Sequence, residues 1–276
     1  MSKFNIGVQL YSVRDEFNAD PRACLHDLKE MGFDTVEFAG YANKTAEELR
    51  GYLDEFGLKC VSVHQNYPWI LESGQKAVDY IKALGAKYVA LPWTGPEMQK
   101  GTENFDGLVK DIVTTGELLK ANDMYLLYHN HDFEFKTFEG KYVLDWLYET
   151  VPADLLGTQI DTCWVHYAGV DPCAYILKYQ GRAPIVHLKD FDCKNLAAGP
   201  VYNLIDDEGN PMDVSNGDKG FEYRPLGMGR QNVPALIEAA EKAGTHTLIV
   251  EQDESPDRPR MESVRLSREY LKSIGF

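Results

Sequence analysis

Five times along this chain, a helix-like segment ends at a residue suited to a left-handed cap. Within about two residues it gives way to a short β-branched or aromatic run. Lys29-Glu-Met-Gly-Phe-Asp leads into Thr35-Val-Glu-Phe38, and Asp54-Glu-Phe-Gly-Leu-Lys into Cys60-Val-Ser-Val-His64. Lys82-Ala-Leu-Gly-Ala-Lys leads into Tyr88-Val-Ala-Leu91, Lys120-Ala-Asn-Asp precedes Met124, and Lys242-Ala-Gly-Thr-His precedes Thr247. Gly32, Gly57, Gly85 and Gly244, with Asn122, suit the left-handed position that closes a helix, and a lysine in the last turn complements the helix dipole. Helix and strand therefore alternate with a period of roughly 25–35 residues, too long for a short solenoid repeat and typical of a parallel sheet covered by helices.

Filling the gaps gives eight strands: Asn5–Leu10, Thr35–Ala39, a run ending at His64, Lys87–Leu91, Met124–Tyr128, a run ending at Asp161, Ala183–His187, and a run ending at Glu251. Helices are expected from Asp20 as N-cap with Pro21, from the capping box Thr45-Ala-Glu-Glu48, and at about 72–84, 104–121, 143–149, 171–179, from Asn232, and at 260–273. The economical closure is a (β/α)8 barrel, which typically takes about 250 residues, so the 276 residues read as one domain. The long polar connection at about 190–231, between strands seven and eight, reads as a lid.

Composition narrows the function classes. The net charge of −15 would repel a phosphate backbone and argues against nucleic-acid partners. No run of about 18 apolar residues offers a membrane span. Met1-Ser-Lys-Phe-Asn leads directly into the first strand, and five scattered cysteines read as reduced thiols, so a cytoplasmic protein is expected. Small-molecule chemistry remains, and nothing in the composition opposes a homo-oligomer or a small partner subunit.

Potential ligands gather at the strand ends. Strand five breaks into His129, Asn130, His131, Asp132 and Glu134, and strands six, seven and eight end on Asp161, His187 and Glu251. Any one of these reads as readily as a helix cap or a salt-bridge partner. Their recurrence on successive strands points instead to the barrel mouth, where such folds carry their chemistry. Mixed oxygen and nitrogen donors suit a divalent ion such as Mn²⁺, Mg²⁺, Co²⁺ or Zn²⁺.

Gly7-Val-Gln-Leu-Tyr-Ser-Val-Arg14, Gly32-Phe-Asp-Thr-Val-Glu-Phe38, Tyr128-His-Asn-His-Asp-Phe-Glu134, Val186-His-Leu-Lys-Asp190, Pro225-Leu-Gly-x-Gly229 and Val250-Glu-Gln-Asp253 resemble the sugar phosphate isomerase/epimerase family. These are xylose-isomerase-like TIM barrels, including ketose 3-epimerases, inosose dehydratases and 3-keto-glycoside-processing enzymes. The resemblance spans the chain. It implies a divalent metal, usually manganese, with Asp161, His187 and Glu251 matching three ligand positions. Family epimerases place a glutamate within strand five. Here that place falls at Tyr128 or His129, so the fourth ligand is either Glu134, reaching back over a tighter loop, or His129; Glu134 would keep the family's ligand chemistry.

The activity so implied is isomerisation or epimerisation of a sugar or keto-sugar, by proton abstraction α to a carbonyl and a metal-stabilised enediolate. Loss of a β-substituent instead would make the enzyme a dehydratase or lyase. Glu251, His131 and Lys189 are candidate proton handlers. Tyr11, His64, His129, Trp164 and Arg230 are candidate substrate contacts, though each has a plainer reading as a rim, packing or solvent-facing residue. Lys189 and Asp190 could instead pair with each other. The turn holding Gly227 and Gly229 could form a backbone nest for phosphate. Rival readings are an apurinic endonuclease, which the net charge disfavours, and a metal-free sugar-binding barrel.

Overall fold

Eight short strands are mostly apolar between their first residues and their C-terminal ends, and in the computed structural model they close on themselves. The structure describes residues 4–197 and 220–276. The barrel strands are β1 (Asn5–Gln9), β2 (Thr35–Ala39), β3 (Lys59–His64), β4 (Tyr88–Leu91), β5 (Tyr125–His129), β6 (Leu156–Asp161), β7 (Ile185–Leu188) and β8 (Thr247–Val250). Each pairs in parallel with its sequence neighbours, and β8 returns to β1, so no barrel edge is left open. Among the described residues, no helix is long and apolar enough to cross a membrane.

Local signals set most boundaries. Asp20 caps Pro21–Met31 by accepting from Ala23 N, and Thr45 and Glu48 exchange both bonds of a capping box. Three expectations shift. The single helix expected near 72–84 is two, Tyr67–Ser73 and Gln75–Leu84, because Gly74 takes φ 56° and ψ −130°, which a side chain would strain. The left-handed residue before β5 is Asp123 rather than Asn122. Asn122 instead directs its amide to Leu118 O and Gln75. Finally, the long connection is not loop throughout: Asp190–Asp192 pairs antiparallel with Glu222–Arg224, tying its two ends together. The central part expected as a lid, 198–219, lies outside the described residues.

Register positions the chemistry. Ala90, Leu127, Ile185 and Ile249 form an apolar layer inside the barrel, with Tyr88 and Tyr125 packed against it. Side chains on a strand alternate between faces, so two residues further along β5, β7 and β8 the same inward face carries His129, His187 and Glu251. Aligned pairs extend this layer around the barrel: Gln9 with Glu37, His129 with Gln159, and Asp161 with His187. Apolar packing thus fills the lower barrel, and polar side chains crowd the C-terminal end of the same channel.

Candidate active site

His129, Asp161, His187 and Glu251 are all buried, and one donor atom from each lies within 4.8 Å of the others. His187 Nδ1 is 2.8 Å from Glu251 Oε2, and His129 Nε2 lies 3.7 Å from Asp161 Oδ2 and 4.0 Å from Glu251 Oε2. Asp161 divides its carboxylate. Oδ1 caps the helix Thr162–Tyr167 through Cys163 N at 2.8 Å and Trp164 N at 3.3 Å, while Oδ2 faces the cluster. The cap reading and the site reading of Asp161 are both true, one oxygen each.

This donor set fits a divalent cation. Bonds of about 2.0–2.3 Å place ligand atoms about 3–4.5 Å apart, close to the spacing here. Asp161 Oδ2 and His187 Nε2 are buried with charged neighbours but without a well-directed hydrogen bond. His129 is held neutral, the form that can ligate: burial lowers its pKa well below the usual imidazole value, and neighbouring His187 and His64 add to this.

Below the cluster lies a carboxylate that the sequence reading did not single out. Glu37 is fully buried and accepts from Gln9 Nε2 at 2.7 Å, Gln159 Nε2 at 2.6 Å and Ser62 Oγ. His64 and His187 bring their Nε2 atoms to 3.0 and 2.7 Å of it. Burial alone would raise the Glu37 pKa, but His64 and His187 outweigh it and hold the group well below the usual carboxylate range. For His187, burial works downward, and Glu37 and Glu251 overcome it, raising the imidazole to about 10, so a cation entering the cluster must displace a proton from this ring. His187 is thus clamped between two carboxylates, one on each ring nitrogen. A polar residue inside the otherwise apolar Thr35-Val-Glu-Phe-Ala39 was the available signal. Gln159 likewise links His64, His129 and Glu37.

Lys189 is also buried, 1% exposed, with its ammonium 3.0 Å from Asp161, 3.2 Å from Glu251 and 2.9 Å from Asp253. Burial would discharge it, yet Asp161, Asp253 and Glu251 together hold its pKa well above the ordinary value. Asp253, not singled out from sequence, also accepts from Tyr223 at 3.1 Å, which links the site to the Glu222–Arg224 strand. Lys189 and Asp190 do not pair with each other in these contacts. Trp164 lies beneath the Lys189 ammonium at 5.0 Å and stacks on Phe221. His131, beside His129 and Trp164, is held neutral by burial and by Lys189, its pKa lowered to about 3.

Other candidates are placed elsewhere. Glu134 sits on a one-turn 3-10 segment, Phe133–Phe135, and its carboxyl accepts from Tyr128 OH at 2.9 Å and His131 N at 2.8 Å. It is not brought to the other three ligand candidates; His129 is the strand-five member of the cluster. Arg230 is held by Cys193 Sγ at 3.1 Å, Asp192 and the Phe191 ring. Tyr11 packs under Arg14 at 4.2 Å. The nest near Gly227 and Gly229 is filled from within: Asp190 accepts from the backbone N–H groups of Phe191, Gly227, Gly229 and Gln231.

Burial pushes Glu134 up to about 8. A carboxyl raised above its unfolded value of about 4.3 favours folding only while protonated. Its ionisation therefore costs stability as pH rises through the interval from about 4.3 to 8. Glu134→Gln is expected to raise stability by about 1 kcal/mol at pH 5 and by several kcal/mol at pH 8.5, at about 1.4 kcal/mol per pH unit. Denaturant melts at the two pH values check this, and equal effects at both would sink it.

The sequence model of the xylose isomerase-like TIM barrel family matches residues 25–274. No curated protein matches the chain significantly. Among solved structures, the chain is similar to a sugar phosphate isomerase/epimerase from Parabacteroides distasonis, with 20% identity, 100% of this chain and 96% of that one covered, and a TM-score of 0.77. It is also similar to a probable 3-DHS dehydratase involved in petrobactin synthesis from Bacillus anthracis, with 14% identity, coverage of 98% and 99%, and a TM-score of 0.72. A third is a xylose isomerase-like TIM barrel protein from Mycobacterium smegmatis in complex with magnesium, with 16% identity, coverage of 99% and 98%, and a TM-score of 0.67.

Proposed function

Because the chain belongs to the xylose isomerase-like TIM barrel family, we propose that it is a divalent-metal-dependent isomerase or epimerase acting on the carbon α to the carbonyl of a neutral keto-sugar. The observation that carries this reading is the buried cluster of His129, Asp161, His187 and Glu251 beside an ammonium group. Those four residues would hold the ion, and Glu134 would not; two imidazoles beside two carboxylates suit manganese, with cobalt and zinc ahead of magnesium. When bound, the ion supplies a Lewis acid for a carbonyl and its neighbouring hydroxyl.

The chain's own groups complete the chemistry. Burial opposes the charge on Glu251, but Lys189 and His187 keep it ionised, so its carboxylate is available to accept the α proton. Lys189 stays protonated and can donate to an oxygen that gains charge. Trp164 and His131 are packed beside the site, Trp164 against Phe221 and the Lys189 ammonium and His131 against Phe133.

Charge supports a neutral substrate. The glycine nest is taken by Asp190, Arg230 is held by Asp192 and Cys193, and Lys189 is surrounded by three carboxylates. Among the described residues, a phosphate dianion would meet no uncommitted cation at this cluster. A second reading, loss of a β-substituent, draws on the same Lys189: an ammonium 3.2 Å from the Glu251 carboxylate can give a proton to a departing oxygen once that carboxylate has taken the α proton.

Neutral keto-sugars, inososes and 3-keto-glycosides, compared with ketose phosphates in D₂O with Mn²⁺, test the reading. Deuterium is expected at the α carbon of the neutral compounds, and an isomer or a dehydrated product separates the two outcomes. Exchange confined to the phosphates would refute the neutral-substrate assignment.

A further inference from the structure

At the opposite end of the barrel from the metal cluster lies a second cavity, of ≈ 490 Å³. Asn5, Thr35, Lys59 and Tyr88 line it, each the first residue of its strand, and Lys87 and His246 come just before β4 and β8. Its size is that of a small-molecule site.

Its charge is unlike that of the rest of the chain. Acidic residues outnumber basic ones 43 to 28 overall, yet three cations, Arg50, Lys59 and Lys87, line this cavity and no carboxylate does. Arg50 is steadied by Asp54 at 2.8 Å. Its guanidinium lies against Gly85, where an added Cβ would stand 2.6 Å from Nη1, so a side chain there would displace the arginine. Unlike Arg50, neither Lys59 nor Lys87 pairs with a carboxylate among the described residues. Burial and Lys87 also lower the pKa of His246, whose Nε2 lies 2.9 Å from Tyr88 OH. Leu53, Leu58 and Leu84 supply an apolar wall.

We propose that this N-terminal cavity is a binding site for a small phosphorylated molecule, with Arg50, Lys59 and Lys87 receiving the phosphoryl group and the leucine wall and Tyr88 receiving its body. Two ammonium groups without carboxylate partners and a fixed guanidinium favour a dianion. The site is separate from the mouth of the barrel, where the substrate is proposed to be neutral. It does not depend on the proposed reaction.

The test is calorimetric titration of the full chain with inorganic phosphate and with pyrophosphate. Saturable binding is expected, about tenfold weaker in the Lys59→Ala/Lys87→Ala double variant and unchanged in Lys189→Met. Both lysines are exposed, so the double variant should fold and turn over substrate normally. Absence of saturable binding to the wild type, or binding that the double variant leaves intact, would overturn the proposal. So would binding lost in Lys189→Met, which would place the anion in the catalytic mouth. Failure of the keto-sugar assay would leave this result standing, and the reverse also holds.

Discussion

Asp161→Asn and His187→Ala are each expected to abolish tight divalent-cation binding and to lower turnover by about 10³-fold or more. That figure follows from the several kcal/mol of charge stabilisation a metal supplies, at about 1.4 kcal/mol per decade. Asp161→Asn is the cleaner variant. The oxygen that caps Thr162–Tyr167 through Cys163 N and Trp164 N can be kept by the amide, while the oxygen facing the cluster is replaced by an NH2 group that cannot ligate a cation. His187→Ala also leaves Glu37 and Glu251 without the imidazole between them, so a lower melting temperature should accompany its loss of cation. One ion per wild-type chain by elemental analysis, and none in either variant, is the expected pattern. Full occupancy in both would remove Asp161 and His187 from the ligand set whatever the activity. Glu134→Gln serves as the internal control, since its carboxyl is engaged by Tyr128 and His131 N and should leave cation content unchanged.

His187 and Glu251 could be picked out from sequence because each ends an apolar run, and Asp161 because it ends the strand before them, and a strand inside a parallel barrel has its C-terminal end at the mouth. The strand-five donor was harder to place. Glu134 has the expected carboxyl and lies close to His129 in sequence. A single 3-10 turn is enough to direct it onto Tyr128. Linear proximity does not encode that turn. Glu37 illustrates a different difficulty: one glutamate in a five-residue strand is compatible with an outward, solvated position. Only the parallel register of β2 with β1 and β3 sets it opposite Gln9 and Ser62, inside the barrel. The glycine turn misled for a related reason. A nest of backbone N–H groups attracts any anion, and Asp190 of the same chain reaches it first.

The other large effect is expected at Glu37, and two substitutions separate its contributions. Glu37→Ala removes the acceptor shared by Gln9, Ser62 and Gln159 and the counter-charge for His64 and His187. Breaking a buried pair from one side costs about 3–5 kcal/mol, a large share of the roughly 5–15 kcal/mol that keeps a domain folded. Marked destabilisation or loss of expression should follow. Glu37→Gln keeps the shape and part of the bonding but not the charge, so a folded protein is expected. In it, His187 no longer has an anion on Nε2 to fix its ring while Nδ1 faces Glu251. Such outer partners typically account for about 10–100-fold in metal affinity, and calorimetric titration of the variant with Mn²⁺ should show a loss of that order. The sign of the pH effect follows from the lowered Glu37 pKa. Its stabilisation is present above the unfolded value of about 4.3 and is lost as pH falls through the folded one. Glu37→Gln should therefore flatten the acid limb of the stability curve. Unchanged Mn²⁺ affinity in Glu37→Gln would show that the carboxylate holds the barrel interior together without positioning His187.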